Sequence, residues 1–369
     1  MNYSTKTWIS DLPSYEPGRP IEELARELGL PGIDDIVKLA SNENALGPSP
    51  RAVEAMRHAA SDMHLYPDGS CHYLAEAIAH KHGVDVSQVV LGNGSNEIIE
   101  LLGHIFLDRD NGLVMSEGAF LIYKLVAMAF QSESAAVPMR SYTHDLDGML
   151  DAIQDDTRLV FIANPNNPTG TMVDGAEIDR FMDQVPGHPL IVFDEAYIEL
   201  LPVNRRPDTL RYIHDGRNVC ILRTFSKAHG LAGLRVGYGL MSGDLANLMH
   251  RVRQPFNVNA MAQTAALAAL EDESHVENTR RMTEEGLEQM VRAFEDRGLE
   301  YVPSVANFIL VRVGNGRECY NKFAEQWVIV RPMDAYGFPD HIRVTIGTHD
   351  DNEKFIGALD RIMSERDKL

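Results

Sequence analysis

Four short polar stretches have residue types that could do chemistry together, and each follows an apolar run. "TFSKAHG" (224–230) follows Val219–Leu222 and puts Thr224, Ser226 and Lys227 at the end of a candidate buried strand, with Arg235 eight residues beyond the lysine. A lysine is normally a solvated surface charge, and burying one is costly unless it has a task. Hydroxyls with an arginine suit a phosphate, and a lysine amine suits a carbonyl carbon. "FDEAY" (193–197) ends another apolar run with the adjacent carboxylates Asp194 and Glu195, and Tyr197 follows one turn on. Such a carboxylate can accept from a cationic ring nitrogen. "NPNNPTG" (164–170) is a rigid turn whose asparagines can aim an amide at a ligand. "LGNGSNEIIE" (91–100) sets a small loop between a strand and a helix, so backbone N–H groups and the helix terminus near Asn96 make a phosphate cradle.

Taken singly, each stretch has a plainer reading: a surface lysine, a helix cap, an Asn-Pro turn and a tight turn. Gly92-x-Gly94 is half of a dinucleotide-binding fingerprint, but Glu97 stands where the third glycine belongs. A metal on Asp194 and Glu195 lacks a nearby third carboxylate or His-x-x-x-His pair, so no metal is expected. Taken together, the four stretches ask for one ligand bearing a phosphate, a pyridine-like nitrogen, a ring oxygen and an aldehyde. That ligand is pyridoxal 5'-phosphate. The lysine forms a Schiff base, the carboxylate keeps the ring nitrogen protonated, and the ring becomes an electron sink.

The elements that must position these residues follow from the pattern. Strands are expected at 89–92, 113–117, 135–139, 159–164, 190–195, 219–224 and 236–241. Their apolar runs are continuous, the mark of strands buried on both faces. Helical stretches between them predict an α/β fold with a mostly parallel seven-stranded sheet between helices. In open parallel sheets, ligands bind beyond the carboxyl ends of the strands, where all four stretches lie. Ser49 and Pro50 read as N-cap and first residue of a helix. After about residue 245 the chain is mainly helical, and 306–313, 328–333 and 341–347 alternate like half-exposed strands of a smaller α+β domain. The expected division is 41–255 for the large domain, with 1–40 and 256–369 forming the small one.

Bulk properties narrow the classes. A length of 369 residues favours two domains. A net charge of −20 repels a phosphate backbone, so nucleic acid is an unexpected partner. Cys71, Cys220 and Cys319 are far apart, without a CxxC, and fit a reduced cytoplasmic setting. The N-terminus lacks an apolar signal region, and no apolar run approaches the ~18 residues of a membrane span.

"NPNNPTG", "FDEAY" and "RTFSKAHGLAGLRVGY", in this order and spacing, resemble the fold-type I aminotransferases, and the resemblance covers nearly the whole chain. "YEPGRP" (15–20), "KLASNENALGPSP" (38–50), "YPDG" (66–69) and "RVTIGT" (343–348) resemble the histidinol-phosphate aminotransferase branch. The resemblance implies the PLP-dependent transferase fold of type I and roles for particular residues. Lys227 resembles the Schiff-base lysine that also shuttles the proton. Asp194 matches the partner of the ring nitrogen, and Tyr197 and Asn167 match donors to the ring oxygen. Ser95, Asn96, Thr224, Ser226 and Arg235 match the phosphate cradle. Tyr66 resembles a tyrosine that reaches the phosphate from a neighbouring subunit, which implies a homodimer with shared sites. Phe120 falls where the family stacks a tyrosine on the ring, so stacking survives and that hydroxyl does not. Arg331 and Arg343 would bind the phosphate of one substrate and the carboxylates of glutamate, with Tyr15 closing over them; bidentate recognition is the reason for arginine.

The expected activity is transfer of an amino group from glutamate to imidazole acetol phosphate. An aminotransferase of phenylalanine or tyrosine would use the same arginines. A decarboxylase of a phosphorylated amino acid would use the same fold and release carbon dioxide. A cofactor-binding transcription regulator would need a DNA-binding domain for which neither terminus has room, and the broken glycine pattern argues against a nicotinamide oxidoreductase.

Overall fold

A computed structural model describes residues 5–14, 18–29, 32–33 and 35–366. Its main sheet has strands β1 (Val89–Gly92), β2 (Gly112–Ser116), β3 (Ser134–Val137), β4 (Thr157–Ala163), β5 (Leu190–Asp194), β6 (Val219–Thr224) and β7 (Gly237–Met241), in spatial order 1-7-6-5-4-2-3. Only β7 runs against its neighbours, pairing antiparallel with β1 and β6. All seven expected strands form, within two residues at each end. Alternate side chains enter two separate cores: Ile191, Phe193, Val219 and Ile221 pack on one face, Leu190, Val192, Cys220 and Leu222 on the other. Continuous apolar runs are therefore needed, because helices cover both faces.

Parallel register brings the reactive stretches to one edge. Ala163 at the end of β4 pairs with Asp194 at the end of β5, and Asp194 pairs with Leu222 of β6. The turns after these strands open side by side. Helix starts follow their capping chemistry: Ser49 Oγ accepts from the Ala52 N–H, with Pro50 at the first turn.

The smaller sheet has β8 (Tyr301–Val302), β9 (Phe308–Arg312), β10 (Arg331–Pro332) and β11 (His341–Thr345), ordered 10-11-9-8 and antiparallel throughout. The small sheet differs from the sequence expectation in two ways. The stretch 328–333 is broken at Val330: Val328–Ile329 pairs parallel with Val37–Lys38, and only Arg331–Pro332 joins this sheet. The strands are also not half-exposed, since β11 is buried throughout and β9 is buried except at Arg312. Ile309, Val311, Ile342 and Val344 pack into the small-domain core, while Phe308 on the other face meets Tyr197, Leu200 and Ala228 of the large domain. The second face is covered by tertiary packing that local alternation does not encode.

Val37 and Leu39 share the small-domain core. The helix Ala260–Leu270 instead packs with the large domain, its Ala262, Ala265, Ala266 and Ala269 joining Ala52 and Ile78 in one core. We therefore propose that the domains divide between this helix and Glu273–Glu295, rather than at residue 255. Among the described residues no helix is long and apolar enough to cross a membrane, and Cys71, Cys220 and Cys319 are buried free thiols.

Candidate active site

The edge formed by the strand ends opens into a cleft of about 380 Å³, within the range typical of small-ligand sites. Lys227, Asp194, Tyr197, Ser95, Asn96, Phe120, Asn167, Thr224, Ser226, Arg235, Arg331 and Arg343 all line it. Tyr66 does not: it is 84% exposed and stacks on Phe256 of its own chain at 4.9 Å. Tyr15 lies outside the described residues.

One end of the cleft is built for an anion. The helix Ser95–Phe106 begins after Gly94 with no side-chain cap, so its first N–H groups keep their capacity to bind a ligand. Gly94 has φ +80°, and a Cβ there would sit 2.8 Å from Arg235 Nη2, so only glycine lets the guanidinium approach the helix terminus. Thr224 Oγ1 accepts from the Ser226 N–H at 3.1 Å, holding both hydroxyl residues at the same rim. Glu97 Oε2 accepts from the Asn93 N–H and from Asn257 Nδ2, so the residue that breaks the dinucleotide pattern pins this loop.

The centre of the cleft carries the titratable groups. Lys227 Nζ donates to the Ser41 carbonyl at 3.1 Å and lies 5.7 Å from the centre of the Tyr197 ring. Burial lowers its amine to about 7, with Arg343 and then Arg235 adding repulsion against the opposing pull of Glu43 and Asp194. Arg343 contributes ahead of Arg235. Asp194 is 5% exposed and accepts from the Tyr123 hydroxyl at 2.7 Å and from the Ala196 N–H at 3.2 Å. Burial raises its carboxyl to about 6 despite both donors. A cation beside it would favour the ionised form. Tyr197 accepts from Asn42 Nδ2 at 2.9 Å and packs edge-on to Phe308, and burial pushes its phenol up to about 12. It therefore stays a hydroxyl donor.

Of the asparagines in the 164–170 turn, only Asn167 lines the cleft. Asn164 closes the turn on Val173, and Asn166 donates to the Gly118 carbonyl and Thr169. Asn167 Oδ1 accepts from Arg343, which leaves its amide to present N–H donors. The carboxylates of "FDEAY" likewise separate. Asp194 faces the cleft, while buried Glu195 binds Arg223 Nε and Nη2 at 3.0 and 2.7 Å and accepts from Thr209. This ion pair ties the ends of β5 and β6. Replacing Arg223 with Met strands a buried carboxylate, and is expected to destabilise by about 3–5 kcal/mol; a lowered denaturant midpoint, partly restored by adding Glu195→Gln, is the check.

The cleft lining also includes Arg331 and Arg343, which are paired across β10 and β11. They are 9% and 5% exposed. Like charges in directly opposed strand positions repel, so this arrangement favours an anion between them. Arg343 also donates to the Ala40 carbonyl at 2.8 Å and lies over the Phe308 ring.

Sequence reasoning missed Asn42, Tyr123 and Tyr336 of the lining. Asn42 lies inside the quoted "SNEN", whereas Tyr123 sits in an apolar helix with nothing to mark its hydroxyl. The donor set fits pyridoxal phosphate: an uncapped helix terminus with Arg235 for the phosphate, a buried carboxylate for the ring nitrogen, N–H and O–H donors for the ring oxygen, and an amine lowered toward neutrality for the aldehyde. Among the described residues no cluster of His, Cys, Asp and Glu could hold a metal.

The chain resembles known proteins over nearly its whole length. The model of aminotransferase class I and II matches residues 34–359. The histidinol-phosphate aminotransferase of Akkermansia muciniphila is 49% identical over 96% of this chain and 97% of its own, and that of Moorella thermoacetica is 47% identical over 96% and 92%. The crystal structure of histidinol-phosphate aminotransferase from Sinorhizobium meliloti with pyridoxal-5'-phosphate superposes with a TM-score of 0.89, at 27% identity and 99% coverage of both chains. The chain belongs to the class I and II aminotransferase family.

Proposed function

We propose that this chain is a pyridoxal-phosphate-dependent histidinol-phosphate aminotransferase, moving an amino group between L-histidinol phosphate and 2-oxoglutarate in histidine biosynthesis. The observation that carries the substrate reading is the buried Arg331–Arg343 pair, which lines the same cleft as Lys227 and is separate in sequence from the proposed phosphate cradle. Two anion sites then share one cleft with the lysine, and an arginine of each acts on its amine: one site for the cofactor's phosphate, the other for the substrate's. The names of the relatives support the same reading.

Pyridoxal phosphate supplies an aldehyde that captures amines and a ring that withdraws electrons from the captured carbon. Ser95, Asn96, Thr224, Ser226 and Arg235 hold its phosphate, and Asp194 keeps a proton on its ring nitrogen. Tyr197 and Asn167 donate to its ring oxygen, and Phe120 covers one face. Arg331 and Arg343 grip the phosphate of histidinol phosphate, and in the second half-cycle a carboxylate of glutamate. Lys227 Nζ, lowered toward neutrality, would take the proton from the carbon that loses its amino group and, in the other half-cycle, deliver one to the 2-oxo acid carbon that gains it.

We also propose a homodimer. Tyr66 turns away from its own cleft, and Met63, Leu65, Tyr73 and Phe256 are exposed beside it in sequence or space, a surface suited to a second copy whose cleft would receive Tyr66. Reduced cysteines fit a cytoplasmic location.

Steady-state kinetics test the substrate reading. kcat/KM should be far higher for L-histidinol phosphate than for phenylalanine, and Arg343→Gln should lower the former by about 10²-fold or more. Equal use of phenylalanine by the unmodified protein would favour an aromatic aminotransferase instead.

A further inference from the structure

We infer that Tyr123 is a positioning residue for the cofactor ring, its hydroxyl holding Asp194 as the oriented anion that keeps a proton on the ring nitrogen while its own ring props Phe120. The inference rests on the reading of the cleft as a pyridoxal phosphate site.

Tyr123 sits on the helix Leu121–Ala129 with no exposed surface. Its hydroxyl donates to Asp194 Oδ2 at 2.7 Å. The other carboxylate oxygen, Oδ1, accepts from the Ala196 N–H at 3.2 Å, the longer of the two bonds. Its ring is clamped from two sides, stacked on Phe161 at 4.3 Å and edge-on to Phe120 at 5.7 Å. One rigid side chain thus supports both the residue that meets the ring nitrogen and the residue that covers the ring face. The phenol stays protonated, because burial and the Asp194 charge push it well above its ordinary range. It can only donate to the carboxylate.

A carboxylate facing a pyridine in a dry site has two neighbouring states, with the proton either on the ring or on the acid. Burial favours the uncharged pair. A hydrogen bond to the ionised carboxylate favours the charged pair. Glu195, Tyr197, Cys220 and Lys227 also lie within electrostatic reach of Asp194, and only Lys227 among them carries positive charge. The Tyr123 hydroxyl is therefore the nearest neutral donor biasing the proton toward the ring, and it does so without touching substrate.

Tyr123→Phe deletes one oxygen and keeps both ring contacts, so the full-length protein loaded with pyridoxal phosphate labelled with 15N in the ring is a direct probe. The unmodified protein should show a protonated ring nitrogen. In Tyr123→Phe the 15N resonance should move toward the unprotonated position, and the dissociation constant of the cofactor should rise about tenfold, with an unchanged far-ultraviolet circular dichroism spectrum. A Tyr123→Phe protein with the unmodified resonance and affinity overturns the inference and leaves the cofactor reading intact. An unmodified protein that takes up no pyridoxal phosphate overturns both.

Discussion

Lys227→Ala should reduce kcat by on the order of 10⁴-fold or more, because one substitution removes the residue proposed as both covalent nucleophile and general base. The protein should still bind pyridoxal phosphate, since Arg235, the hydroxyls and the helix terminus are untouched, but without the yellow colour that the lysine linkage confers. The unmodified apoprotein supplies a control with a defined sign. Its Lys227 amine is lowered to about 7 by burial first and by Arg343 next. The neutral nucleophile therefore predominates above that pH, and the charged form below it. Cofactor capture should slow about tenfold per pH unit below 7 and level off above it. A yellow, active Lys227→Ala protein would remove the basis of the whole assignment.

Asp194→Asn should lower kcat by about 10²–10³-fold at saturating cofactor. An amide occupies nearly the same volume, and the bond from Tyr123 can persist to its oxygen, so folding should survive. What is lost is the negative charge that stabilises a protonated ring nitrogen. Single-turnover rates with bound cofactor isolate this loss from any change in cofactor affinity. A rate near that of the unmodified protein would place the ring nitrogen elsewhere in the cleft. Asp194→Asn should also show little stability loss, because it replaces a carboxylate that burial raises to about 6 with an uncharged group.

Much of this site was legible because it sits at strand ends. Apolar runs such as Val219–Leu222 announce a buried strand, and polar residues after them fall on the sheet edge where ligands bind. Parallel register then brings Asn167, Asp194 and Lys227 together across long stretches of chain. What was not legible depends on contacts between elements. Nothing local shows that Arg331 and Arg343 are cross-strand partners, or that Glu195 turns to Arg223 while Asp194 faces the cleft. The strands Phe308–Arg312 and His341–Thr345 looked half-exposed because their second face is covered by the large domain. The helix Ala260–Leu270 seemed to continue the helical C-terminal part. Its small side chains instead fit closely against Pro50–Ala59.

The central claim is that Lys227, Asp194 and the paired arginines together move an amino group from histidinol phosphate to the bound cofactor. The most direct measurement mixes the cofactor-loaded protein with L-histidinol phosphate alone, without any 2-oxo acid, and follows the yellow absorbance and the products of one turnover. The protein should bleach with one imidazole acetol phosphate formed per active site and no carbon dioxide, and its colour should return on adding 2-oxoglutarate. Unchanged absorbance with histidinol phosphate, or bleaching by phenylalanine alone, would contradict it.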